Sequence, residues 1–213
     1  KTIALKTFND STAAIKEAHI NNEVLRRGFN STRPVCVLID QGRGYIITPA
    51  RKDIMPLDTE PWHQFSSGSN AIRQHFSDRL KQISFLLADL HSQGVNHSDA
   101  QIKNFWAITL KGQVEAFDWE AGRLYSIPPD NQDLVRMTVD DLSVLFKSLT
   151  GQYKDSYIPL FSESSAANWR LFKEHVYNYY SYRLMEHWQK MGLLNDDWAE
   201  DMLTAEGELK NSL

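Results

Sequence analysis

The stretch His97-Ser98-Asp99-Ala100-Gln101-Ile102-Lys103-Asn104, with Asp118 fourteen residues beyond it, constrains this chain more than any other feature. It supplies a carboxylate, an amide five residues later and a second carboxylate after a hairpin. The flanks define its setting. Gly94-Val95-Asn96-His97 reads as a turn and a short strand, while Phe105-Trp106-Ala107-Ile108-Thr109 and Val114-Glu115-Ala116-Phe117 read as strands joined through Lys111-Gly112. Asp118 then falls where the second strand ends. Upstream, Phe76, Leu80, Ile83, Leu87 and Leu90 recur at steps of four and three, the spacing of one helix face, and Gly94 ends that helix. His91, in its last turns, reads as a partner for the helix dipole.

Oxygen-bearing groups in this order match the needs of phosphoryl transfer. That reaction requires a group to orient the incoming hydroxyl and metal ions to neutralise charge on the phosphate oxygens. Asp99 is the candidate for the first task, and Asn104 and Asp118 are candidates for the second, because hard divalent cations prefer oxygen ligands. The plain alternative is a polar hairpin whose carboxylates only cap turns.

These residues resemble the protein kinase-like superfamily, whose catalytic loop runs His-Arg-Asp-x-x-x-x-Asn and whose metal-binding aspartate follows on a hairpin in Asp-Phe-Gly. Here the corresponding residues are His97-Ser98-Asp99 with Asn104, and Asp118-Trp119-Glu120. The resemblance implies an α+β, two-lobed fold, ATP and Mg2+ as cofactors, and transfer of the γ-phosphoryl group to a hydroxyl. It makes Asp99 the catalytic base and Asn104 and Asp118 the metal ligands. His97 would orient the loop by hydrogen bonding. Ser98 stands where many members carry an arginine that senses activation-loop phosphorylation, so that mode of control is not expected. Glu120 replaces a glycine, and with it the usual backbone freedom after the metal-binding aspartate.

By the same resemblance, Thr2-Ile3-Ala4-Leu5-Lys6 is similar to the Val-Ala-Ile-Lys strand, and Lys6 would contact nucleotide phosphates. Asn9-Asp10-Ser11-Thr12 offers N-caps for a helix over 13–27. Glu23, seventeen residues beyond Lys6, is the favoured partner for that lysine, with Glu17 as the competing candidate. Residues 34–40 and 44–48 read as strands around the turn Gln41-Gly42-Arg43. The second strand would run into a hinge at 47–50, where backbone groups of Thr48 and Ala50 would meet the base; Pro49 has no N–H to donate. Asp141 matches the aspartate that braces the catalytic loop from beneath. From the residues alone, Asp140 and Asp141 simply favour a helix N-terminus.

The rest of the chain divides accordingly. Residues 1–50 form a partial N-lobe, 51–70 a hinge and linker rich in Pro, Ser, Gly and acids, and 71–213 a helical C-lobe carrying the catalytic loop. Residues 122–138, with Pro128-Pro129 and Asp130-Asn131, read as an extended loop before a helix beginning near Thr138. Beyond 152 the chain reads as helical, with Trp169, Phe172, Val176 and Tyr179 or Tyr180 on one apolar face, and Tyr182, Met185 and Trp188 continuing the aromatic density. The acidic C-terminal end reads as a solvated face.

Composition narrows the partners. A formal charge of −4 argues for neither nucleic acid nor an anionic membrane surface. The single Cys36 excludes an intramolecular disulfide framework and a cysteine-based zinc site. It fits a reducing compartment, and the expected location is cytoplasmic, or a host cytosol if the protein is a delivered effector. No apolar run is long enough to span a bilayer. The first residue is Lys, which predicts a start inside a longer or processed chain. Only five residues precede Lys6, so a glycine-rich phosphate-covering loop is expected either from upstream sequence or not at all, which would leave the site open. The reading favoured is an ATP-dependent kinase with a protein Ser/Thr acceptor, since no long insertion encloses a small substrate. The alternatives are a small-molecule, lipopolysaccharide or aminoglycoside-type kinase, or a pseudokinase acting as a binding module. A hydrolase would need a nucleophile-positioning motif that is not found.

Overall fold

A helix with an unbroken apolar face organises the larger part of the molecule. The computed structural model describes residues 2–60, 62, 64, 68–108, 112–152 and 165–212. Chain order begins with β1 (Ile3–Phe8), α1 (Ser11–Arg26), β2 (Cys36–Asp40), β3 (Arg43–Pro49) and β4 (Ile54–Pro56), then a 3-10 turn at Leu57–Thr59. The helix α2 (Asn70–Ser92) leads into β5 (Val95–Asn96), a second 3-10 turn (Ile102–Asn104), β6 (Phe105–Ile108), β7 (Val114–Ala116) and β8 (Arg123–Leu124). Helices α3 (Asn131–Leu149), α4 (Ser165–Phe172), α5 (Asn178–Met191) and α6 (Asp196–Asn211) follow, with a π-helical turn at Lys173–Tyr177 joining α4 to α5. The architecture is α+β, as expected.

The antiparallel sheet β1-β3-β2 sets Lys6 opposite Ile46, with Ala4 opposite Thr48. Its turn at Gln41 and Gly42 has positive φ at both residues, which suits a tight hairpin. Helix α1 is capped by Asp10, whose carboxylate accepts the Thr12 N–H. Ala14 and Ala18 of α1 join Phe8 and Ile46 in a small apolar cluster, whereas Ile20 and Val24 enter the large one. The large cluster is built on Phe76, Leu80, Ile83, Leu87 and Leu90 of α2, each at most 2% exposed. Gly94 follows that helix with φ +64, and a Cβ there would lie 2.3 Å from the Ser126 carbonyl oxygen. Two constraints, handedness and close approach, therefore call for glycine at this position.

Three sequence readings are corrected. Residues 51–70 are not plain linker: β4 pairs with β6 (Ile54 opposite Ile108), and Leu57 and Trp62 are buried. As an outer strand of the sheet β4-β6-β7, it tolerates Pro56. Helix α3 begins at Asn131 rather than Thr138, because the carboxylate of Asp130 accepts the Asp133 N–H and caps it. The acidic end is a docked helix: Met202, Ala205 and Leu209 of α6 are buried, and the Tyr177 hydroxyl donates to the Met202 carbonyl. In the preceding helical run Tyr180, and not Tyr179, is buried along with Tyr177, while Tyr182 is exposed. The expected turn residue Lys111 and strand end Thr109 lie outside the described residues.

Candidate active site

Lys6 is the electrostatic hub. Its Nζ lies 2.6 Å from Glu17 Oε2, 2.5 Å from Asp118 Oδ1 and 4.0 Å from Glu120 Oε2. Strand β1 brings the lysine beneath α1, and Glu17, 5% exposed, is presented from that helix. Burial disfavours the Lys6 ammonium, but its hydrogen bonds to Asp118 and Glu17 and their charges outweigh that cost and hold its pKa above the ordinary lysine value. Burial also raises the pKa of Glu17; Lys6 opposes the shift, while Asp118 and Glu120 reinforce it. The favoured partner Glu23 is thereby corrected to Glu17. Six residues along a helix is a rotation of about 240°, so Glu23 leaves the face that meets Lys6. It pairs with Arg26 at 2.6 Å instead.

The catalytic-loop candidates are held from two sides. The Asn104 amide donates through Nδ2 to both the backbone carbonyl (2.8 Å) and the carboxylate (2.9 Å) of Asp99, and Gln101 donates to the same carboxylate. From beneath, Asp141, fully buried, accepts the backbone N–H groups of His97 (2.9 Å) and Ser98 (2.7 Å). Because α3 starts seven residues earlier than expected, Asp141 acts from the helix interior, not from its first turn. Its second support is His91, whose Nε2 donates to Asp141 at 2.9 Å while Nδ1 meets the Tyr180 hydroxyl, itself 2.7 Å from Thr138. His91 is therefore a buried brace and not a dipole partner. His97 Nε2 donates to the Phe117 carbonyl at 2.8 Å, tying the loop to the residue before Asp118. Ser98 and Asp118 both have positive φ, 60° and 63°, a conformation that L side chains adopt only under local constraint.

One cleft of about 660 Å3 is lined by Lys6, Glu17, Asn104 and Asp118 together with Ala4, Ile46, Ile54 and Trp106, and Asp99 is tied to it through its hydrogen bond with Asn104. That size falls in the range of small-molecule and cofactor sites. Thr48 and Ala50 border it. The Ala50 N–H, however, is hydrogen-bonded to the Thr2 carbonyl (3.1 Å), so it is not the free donor the sequence promised. The residues present fit a divalent cation. Carboxylate oxygens of Glu17, Asp118 and Glu120 lie within 4.8 Å of one another, and the Asn104 amide nitrogen is bonded to Asp99, which leaves its carbonyl oxygen as the available ligand.

Several participants had no legible signal. Trp106 and Lys103 line the cleft, and Trp119, 1% exposed, packs on the His97 ring at 4.7 Å. Arg27 donates to the carbonyls of Gln93, Gly94 and Tyr125, joining the end of α1 to the turn before the catalytic loop. No helix among the described residues is long and apolar enough to cross a membrane.

No protein-family model matches the chain, and no curated protein matches it. Among solved structures it is similar to WaaP in complex with acyl carrier protein. That likeness has 15% identity and a TM-score of 0.55, covering 97% of this chain and 80% of WaaP. At this identity the likeness is one of fold.

Proposed function

We propose that this protein is an ATP- and magnesium-dependent phosphotransferase that transfers the γ-phosphoryl group to a hydroxyl of a saccharide or other small acceptor. The observation that carries the reading is the convergence of Lys6, Glu17 and Asp118 on the cleft that Asn104 also lines, with Asp99 hydrogen-bonded to Asn104. In this reading residues 1–50 and 71–213 are two lobes joined by 51–70, and the nucleotide lies between them. Lys6 binds phosphate oxygens, Glu17 holds Lys6, and the apolar wall around Ala4, Ile46 and Trp106 takes the base. Bound magnesium would neutralise charge on the phosphates from Asn104 and Asp118. Asp99 orients the acceptor hydroxyl and takes its proton as the new O–P bond forms, while the bond from the γ-phosphorus to the β–γ bridging oxygen breaks and ADP leaves.

The acceptor reading moves from protein Ser/Thr to a small molecule or saccharide. WaaP is a lipopolysaccharide core heptose kinase, and that neighbour favours the alternative over the protein acceptor. The test separates binding from chemistry. Asp99→Asn is expected to bind Mg-ATP in calorimetry while losing turnover by about 10²-fold or more. Asp118→Asn is expected to lose the magnesium-dependent part of that affinity. Turnover persisting in both variants would refute the assignment.

A further inference from the structure

Resting on that reading, we infer that a hydrogen-bonded latch fixes Asp118 to helix α1: Trp119–Ser31–Asn21 on one side and Lys16 on the other are positioning residues for the metal ligand. The relay has a defined direction. The Trp119 indole N–H donates to Ser31 Oγ (3.2 Å), and the Ser31 hydroxyl donates to Asn21 Oδ1 (2.6 Å). An indole can only donate and a hydroxyl carries one proton, so both donors are satisfied in one arrangement. Asn21 is 6% exposed and lies one helical turn beyond Glu17, on the face of α1 that meets Lys6. On the outer side, Lys16 Nζ donates to the Glu120 carbonyl at 2.9 Å.

Between these two anchors the chain has little room. Trp119 is sealed against His97, and His97 is bonded to the Phe117 carbonyl. Gly122 closes the segment by donating to the Trp119 carbonyl (3.0 Å), and a Cβ at Gly122 would lie 3.2 Å from Ile20 of α1. Lys16, Ile20 and, through Ser31, Asn21 of α1 thus hold the segment from 117 to 122 along one helix face. Asp118 is left in its left-handed conformation with its carboxylate toward Lys6. The consequence is a metal ligand whose position depends on α1 and not on a mobile activation segment. It explains how Glu120 can stand where a glycine is usual: its backbone is tied down by Lys16 and is not required to move.

The test measures Mn2+ binding by electron paramagnetic resonance, with a non-hydrolysable ATP analogue present. Ser31→Ala and Lys16→Met are each expected to raise the half-saturating Mn2+ concentration about fivefold to tenfold, the scale of one lost hydrogen bond. Nucleotide affinity in EDTA should stay unchanged, and Ser31→Thr should restore the wild-type value. Lys16 is exposed, so its variant keeps the core intact and guards against a simple folding defect. Half-saturation within about twofold of wild type in both variants, at a single hydrogen bond's sensitivity, would overturn the latch alone. Wild-type protein that binds no Mn2+ with the analogue would overturn the phosphotransferase reading and the latch together.

Discussion

At the scale of residues, the site separates two glutamates that the sequence left in competition. Glu17 and Glu23 sit on the same helix, but only Glu17 reaches Lys6. Glu17→Gln removes the charged partner of Lys6, the lysine proposed to bind phosphate, and turnover is expected to fall by about tenfold or more, on the scale of a lost charge-assisted hydrogen bond. Glu23→Gln, which removes the ion pair with Arg26 and a charge near Arg27, is expected to leave kcat/KM within about twofold, as for other surface ion pairs. Steady-state kinetics of the two variants checks this, and equal losses would contradict it. Asp99, Asn104 and Asp118 were legible because their chemistry is tied to a short, fixed spacing. The choice between Glu17 and Glu23 was not, since it depends on where α1 crosses β1, a tertiary quantity. The Ala50 N–H was misread for a similar reason: its partner, the Thr2 carbonyl, lies just before β1, far away in sequence.

At the scale of elements, the loop from His97 to Asn104 rests on α2, α3 and α5 through one buried chain from Asp141 to His91, Tyr180 and Thr138. Asp141→Ala would orphan two backbone N–H groups and the His91 ring, and a loss of about 3–5 kcal/mol is expected. Tyr180→Phe keeps the ring and is expected to cost about 1–3 kcal/mol. Urea melts of both variants test the ranking. Periodicity revealed α2 because Phe76, Leu80, Ile83, Leu87 and Leu90 all serve a single buried face. Helix α3 was placed too late because Asp130-Asn131 reads equally well as a turn or a cap, and only the Asp133 N–H decides between them. The π-helical turn at Lys173–Tyr177 shifts the register beyond it, which is why the aromatic stripe did not single out Tyr180. Charge concealed α6: its acids are numerous, but Met202, Ala205 and Leu209 form the stripe that docks.

At the scale of the whole molecule, stability should fall in alkali. Burial raises the pKa of the Tyr177 and Tyr180 phenols above the ordinary value of 10.0, and interactions with Asp118 and Glu17 raise that of Lys6. Below about pH 10 both the folded and unfolded chains keep the phenolic protons. As pH rises beyond this, the unfolded chain loses protons that the folded chain retains, so the stabilising contribution is progressively lost. Urea midpoints should therefore drop above about pH 10, and absorbance at 295 nm should show the two buried phenols ionising only on unfolding. Ionisation of all tyrosines in the folded protein would contradict this. The central claim concerns chemistry, and labelled ATP tests it most directly. The protein is incubated with magnesium, γ-labelled ATP and two separate acceptor pools, lipopolysaccharide core saccharides and lysate proteins, with Asp118→Ala as control. Label in the saccharide pool, absent with the variant, is the predicted result. Label confined to protein would contradict the assigned acceptor, and failure to label either pool while Mg-ATP binds would contradict the phosphotransferase itself.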